Sequence, residues 1–202
     1  MIELRNIRKS FGDKVVIDGL CATIEDGTFT IIAGPSGCGK TTLLNMLGYL
    51  EKTDEGDILI DGTDIKAISQ GEYFSEYVGF LFQNFALMEN KTVKQNLEII
   101  KKKNRSDIIM KQALDEVGLS DQMNTKVYKL SGGEQQRVAL ARLMMKRCKM
   151  ILADEPTGSL DAENGRLVMD LLHKFADEGK IVIMVTHDTG LYEEADQVIE
   201  LK

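Results

Sequence analysis

The chain has 202 residues, enough for one large domain or two small ones, and its 43% apolar content is sufficient for a real core. Its formal net charge of −7 argues against a non-specific nucleic-acid surface, because such domains are usually basic. No stretch reaches the roughly 18 apolar residues of a membrane span, and "MIELRNIRKSFG" has no apolar signal core, so work at a membrane requires another chain to supply the span.

In chain order, "IELRNI", "KVVIDGLCATI" and "TFTII" alternate as strands within residues 1–32, and "GDILIDGTDI" at 56–65 predicts a further strand and turn. Between them, "GPSGCGKT" runs into a helical pattern, "KTTLLNML". "YVGFLF" (77–82), "MILA" (150–153) and "IVIMVT" (181–186) are short apolar runs, as expected of parallel strands covered on both faces. Thr92 and Gln95 have capping-box spacing ahead of Val93, Leu97 and Ile100, and the basic run from Lys101 to Arg105 reads as the solvated end of that helix. Residues 107–117 place Ile109, Ala113, Leu114 and Val117 on one helical face, and Gly118 stops the helix. Residues 163–177 carry Leu167, Val168, Leu171, Leu172 and Phe175 as an apolar stripe; His173 falls off it and is expected in solvent. Met144, Met145 and Met150 are expected to fill the core. Cys21, Cys38 and Cys148 have no metal-like spacing, and their odd number fits a reducing cytosol. The pattern predicts an α/β core with a mostly helical insert at about 84–145.

Gly34 to Thr41 fits G-x-x-x-x-G-K-[ST] between a strand and a helix, the context a phosphate loop requires. Its glycines let backbone N–H groups wrap a β-phosphate, and the helix start adds its positive dipole end. Lys40 can reach the β- and γ-phosphates, and the Thr41 hydroxyl can ligate Mg²⁺. Cys38 occupies a free position and reads as a small filler. Asp154 emerges at the C-terminal end of the "MILA" strand, where open α/β sheets place ligands, and can hold the Mg²⁺ shell opposite Thr41. Glu155 is a second carboxylate beside that metal, which is costly unless it orients or deprotonates water. Gln83 and His187 follow two other strands, so with Gly34 and Asp154 they form a rim of strand ends. Gln83 can touch Mg²⁺ or the attacking water, and His187 can donate to the γ-phosphate; a structural role stands as the alternative for each. Asp161 stands equally as the N-cap of the 163–177 helix.

"LSGGEQQRVALARLMM" (130–145) is helical, with Ser131 and Glu134 spaced as a capping box. Capping leaves Gly132 and Gly133 unexplained, because glycine costs a helix interior roughly 1 kcal/mol against alanine. Glycine at a helix start permits close approach of an anion to bare N–H groups. The phosphate loop already serves this chain's nucleotide, so a second phosphate-binding terminus serves another molecule's. A two-fold dimer then gives two complete sites, each between one chain's loop and the other's "LSGGE".

"GPSGCGKT", "FQ" ending at Gln83, "LSGGEQQR", "MILADEP", "SLD" and His187 stand in the order found in ATP-binding-cassette (ABC) ATPases, which the chain resembles over essentially residues 1–200. The resemblance implies an α/β P-loop NTPase core with a parallel sheet, an N-terminal antiparallel β subdomain and the helical insert, in one domain over 1–202. It implies ATP contacts from Phe11, which stacks under adenine in place of the commoner tyrosine, and from Gly34, Pro35, Ser36, Gly37, Cys38, Gly39, Lys40, Thr41 and Thr42. It also implies metal contacts from Thr41, Gln83 and Asp154, Glu155 as the catalytic carboxylate with His187 and Gln83 beside it, and Asp161 at the dimer interface. Ser131, Gly132, Gly133 and Glu134 would contact the opposite chain's ATP. It implies ATP and Mg²⁺ as cofactors and, as partners, a second copy on ATP binding and a transmembrane permease on the cytoplasmic face of the membrane. "LSGGEQQRVALAR" with "ADEPTGSLD" looks most like the lipoprotein-release, macrolide-export and cell-division subgroup. That favours an exporter, with an ATPase that regulates a membrane complex without transport as the alternative; the end at "QVIELK" speaks against a sugar-type importer. The apolar residues of "NFALMEN" (84–90) are either a contact for a permease helix or a small core under a loop.

Overall fold

In a computed structural model, residues 1–158 and 160–202 are described; Ser159 of the "SLD" stretch lies outside them. The first sheet has order β2-β1-β4-β5 and is antiparallel: β1 (Ile2–Phe11), β2 (Lys14–Ile24), β4 (Glu55–Ile60) and the two-residue β5 (Thr63–Asp64). The second is parallel throughout, with order β6-β7-β8-β3-β9: β3 (Phe29–Ala33), β6 (Val78–Leu81), β7 (Met150–Asp154), β8 (Ile181–Val185) and β9 (Gln197–Glu200).

Why the parallel strands read as unbroken apolar runs is visible in where their side chains go. Ile31, Ile151, Ala153, Val182 and Met184 point into one hydrophobic cluster, while Ile32, Leu152, Ile181 and Ile183 point into another. Successive residues alternate between the two faces, and both faces are covered, so neither set can be polar. α3 (Val93–Glu98), α4 (Met110–Glu116), α5 (Gly132–Met144) and α6 (Ala162–Asp177) contribute to the first cluster. α1 (Lys40–Leu47) and the antiparallel sheet contribute to the second, and the short α2 (Gln70–Glu72) leads into β6.

Three local expectations are corrected. Ile109 is 59% exposed because it is the extended N-cap of α4 rather than part of its face, although Gly118 does end that segment, at φ +67°. His173 is half-buried rather than solvated, set edge-on to Phe29 at 4.6 Å with Nε2 3.3 Å from Glu194 Oε2. In the basic run, Lys101 to Lys103 are exposed, but Arg105 turns back and its Nε donates to the Ile100 carbonyl at 2.9 Å, closing the end of α3.

Candidate nucleotide site

β3 delivers the chain to Gly34, whose φ of +142° suits glycine and whose Cβ, if present, would lie 2.5 Å from the Leu201 carbonyl oxygen. The loop closes at Gly39, φ +105°, packed so tightly on Val16 that a Cβ would lie 2.5 Å away. α1 then begins at Lys40. Cys38 packs against Gly34 and the second core cluster, as a filler does. Lys40 is 9% exposed, and its ammonium donates to the carbonyls of Gly34 at 2.7 Å and Pro35 at 3.0 Å, folded over its own loop.

A cavity of about 320 Å³ adjoins this loop and brings together Phe11, Val16, Ser36, Gly37, Gly39, Lys40, Thr41, Thr42, Glu155 and Val185. Across the loop, the Thr41 hydroxyl donates to Asp154 Oδ1 at 3.3 Å. Burial pushes the Asp154 carboxyl above its ordinary pKa; the Thr41 hydroxyl opposes that rise and the neighbouring Glu155 charge adds to it. Glu155 adopts φ +47°, a strained conformation for a residue with a side chain, held by its N–H donating to the Val185 carbonyl at 2.9 Å. Its Oε2 lies 2.8 Å from Nδ1 of His187, which is mostly exposed just past β8. A carboxylate only accepts, so the imidazole donates from Nδ1.

A larger hollow, about 630 Å³, lies on the other side of Glu155, lined by Asp161, Arg166, His187 and Glu194 among others. The smaller cavity is the better phosphate site despite its size, because Lys40, Thr41 and the loop N–H groups face it. Asp161 is the N-cap of α6, accepting the Asn164 N–H at 2.8 Å. Gln83 is exposed in the turn two residues past β6 and lines neither cavity among the described residues.

The same holds for Ser131, Gly132, Gly133 and Glu134. The capping box is complete: Ser131 Oγ accepts the Glu134 N–H at 3.3 Å, and Glu134 Oε2 accepts the Ser131 N–H at 2.8 Å. That backbone donor, followed by the Ser131 hydroxyl, holds the Glu134 carboxyl below its ordinary range. The two glycines differ. A Cβ on Gly133 would lie 2.9 Å from the Asn164 amide, so this chain's own packing calls for that glycine; a Cβ on Gly132 would meet nothing within 4 Å among the described residues. Phe85 and Leu87 pack against the first core cluster, and Arg142 donates to the carbonyls of Phe85 and Ala86, so this loop is an edge of the core.

One contact near Glu155 was not foreseen. Gln136 on α5 is 1% exposed and donates from Nε2 to the Pro156 carbonyl at 3.0 Å, tying the "LSGGE" helix to the residue after Glu155. Its signal in the sequence is an amide spaced four and seven residues before Leu140 and Leu143, on an otherwise apolar face. The next residue, Arg137, donates to Asn164 of α6, while its Nε is buried without a partner among the described residues.

The family described as "ABC transporter" matches residues 17–158. An ABC transporter ATP-binding protein of Methanocaldococcus jannaschii, MJ1508, is 37% identical over the whole chain and 96% of its own length. The macrolide export ATP-binding/permease protein MacB of Shigella flexneri is 39% identical over the whole chain, which spans only 33% of MacB. Among solved structures, the bacterial ABC transporter cassette MJ0796, described as dimeric, superposes with a TM-score of 0.88 at 35% identity, covering all of this chain and 94% of that one. The same cassette in a post-hydrolysis state bound to ADP and Pi gives 0.84 at 33% identity. With phosphate loop, strand-end carboxylates and cassette fold in one arrangement, the chain belongs to the ABC transporter family, as a nucleotide-binding ABC ATPase cassette.

Proposed function

We propose that the chain binds Mg·ATP and hydrolyses it to ADP and phosphate, and that Glu155 is the base. The observation that carries this is the 3.3 Å contact of Thr41 with Asp154 across the loop, with the Glu155–His187 pair on the same rim. Two hard oxygen donors face each other there, and the raised pKa of Asp154 reflects a carboxylate that a cation would relieve. Thr41 and Asp154 would hold Mg²⁺, with Gln83 assigned as a further ligand after β6; bound there, the ion would neutralise charge on the β- and γ-phosphates. Lys40 exchanges its two loop carbonyls for phosphate oxygens. Phe11 stacks on the base, residues Gly34 to Thr42 cradle the phosphates, through backbone N–H groups that all but Pro35 carry, and Glu155 orients and deprotonates the attacking water while His187 contacts the γ-phosphate.

The site is completed by a second copy, whose Ser131, Gly132, Gly133 and Glu134 approach the triphosphate and whose Asp161 lies at the interface. The open space at Gly132 and the dimeric form of the MJ0796 cassette support this. Residues 1–202 act as one cassette, with 84–145 as its helical insert. The match to nearly all of the ATP-binding protein MJ1508 supports a separate membrane permease, and the macrolide-export relative MacB supports an export role, which we assign at the cytoplasmic face. A groove of about 360 Å³ lined by Phe74, Phe80, Phe82 and Ile99 offers that permease an apolar seat.

Phosphate release from ATP by the purified chain, with and without Mg²⁺, tests the reaction. Turnover should require the ion and fall roughly 10²- to 10⁴-fold in Glu155→Gln. Turnover without Mg²⁺, or a Glu155→Gln variant as fast as the wild type, would overturn the assignment.

A further inference from the structure

Lys9 is 7% exposed within the antiparallel sheet, and nothing in the chemistry above uses it. Three oxygens hold its ammonium: Glu51 Oε1 at 2.7 Å, the Lys52 carbonyl at 2.9 Å and Asp54 Oδ1 at 3.2 Å. The other oxygen of Asp54 accepts the Ser10 N–H at 2.7 Å, so one carboxylate grips both the lysine and the backbone next to it. Its hydrogen bond to Glu51 is the largest influence keeping the Lys9 pKa above the ordinary lysine value. Lys9 and Phe11 stand two residues apart on β1, where side chains share a face, and Nζ lies 5.1 Å from the Phe11 ring centroid. Phe11 is 52% exposed and lines the phosphate-loop cavity; Lys9 does not.

With its N–H groups directed to oxygens, the ammonium over one face of the ring acts on it as a fixed charge. A cation is attracted to an aromatic face and draws π density toward itself, leaving the open face suited to an electron-rich ring. We propose that Lys9, anchored by Glu51 and Asp54, is a positioning residue for base recognition, holding Phe11 as a platform for a purine of the adenine type. The proposal rests on Phe11 being the residue that stacks on the base. Phe11 is half exposed at the end of β1, so removing the charge frees the ring and the base loses its platform.

The test compares affinity for ATP with affinity for inorganic tripolyphosphate, which has the phosphates without the base. Lys9→Met should weaken ATP binding about threefold to tenfold and leave tripolyphosphate within about twofold, while Lys9→Arg keeps most ATP affinity. In a Phe11→Leu background, Lys9→Met should cause no further loss. Equal losses for both ligands, no loss for ATP, or an undiminished loss in the Phe11→Leu background would overturn the proposal. Phe11→Leu alone separates the two ideas. If it leaves ATP affinity unchanged, the stacking assignment falls; if it weakens ATP while Lys9→Met does not, only the role of Lys9 falls. Should Lys9→Met not fold, the neutral triple variant Lys9→Gln, Glu51→Gln, Asp54→Asn carries the same expectations and the same refutations.

Discussion

Gly132 and Gly133 share one turn of α5 but answer to different constraints. Gly133 leaves room for Asn164, which is locked between Arg137 and Asp161, while Gly132 borders open space. Gly132→Ala should therefore stabilise the nucleotide-free chain by a few tenths to about 1 kcal/mol, through helix propensity alone. Gly133→Ala must displace the Asn164 amide and should show no such gain. Thermal unfolding without nucleotide checks both; a loss of stability in Gly132→Ala would mean that this glycine serves its own chain. Lys40 supports a second expectation at this scale. Lys40→Ala should nearly abolish ATP binding in a calorimetric titration, because the loop carbonyls it now satisfies cannot replace an ammonium beside phosphate. Wild-type affinity would remove Lys40 from the site.

Among the elements, α5 ties the "LSGGE" helix start to the strand-end carboxylates. Gln136 reaches from its first turns to the Pro156 carbonyl, one residue beyond Glu155. Gln136→Met keeps the volume but leaves that carbonyl unpaired, so kcat should fall about tenfold while ATP affinity holds, as expected when only the placement of the base is disturbed. Equal effects on kcat and affinity would point to general unfolding of the helix start. Glu134 makes the start of α5 pH-sensitive. Its pKa is depressed in the folded chain, so its contribution is complete above about 4.5, the unperturbed value, and is lost as pH falls below that through the folded value. Glu134→Gln should thus be less stable than the wild type near neutrality and converge with it in acid; a gap that persists at low pH would contradict the assignment. The elements themselves were legible where side-chain period and burial agree. β6, β7 and β8 appeared as apolar runs, whereas β3, expected to alternate, is buried along its whole length, and the capping boxes at Thr92 and Ser131 marked two helix starts. β9 escaped because its four residues, Gln197–Glu200, bury only Ile199 and carry no period to read. His173 was misplaced because its partners, Phe29 and Glu194, come from distant segments, which a helical stripe cannot reveal. The same reason hid Gln136's partner and the charge behind Phe11: both are tertiary contacts between residues whose types are ordinary in the sequence.

At the scale of the whole molecule, the phosphate loop, Asp154, Glu155 and His187 converge as their strand-end positions predicted, whereas "LSGGE" lines neither cavity of its own chain. On the assignment proposed above, a second copy gives that segment a triphosphate to meet. If so, ATP is the bridge between two chains and hydrolysis releases it. Glu155→Gln retains size and hydrogen bonding but lacks the base, so turnover should drop roughly 10²- to 10⁴-fold while binding survives, and the loss of a carboxylate near the phosphates also relieves repulsion. Light scattering of Glu155→Gln with Mg·ATP is the direct measurement. The account predicts twice the monomer mass with ATP, the monomer mass without it, and a return to monomer when Ser131→Arg is added while ATP still binds; a Glu155→Gln chain that stays monomeric in ATP, or a double variant that still dimerises, would contradict it.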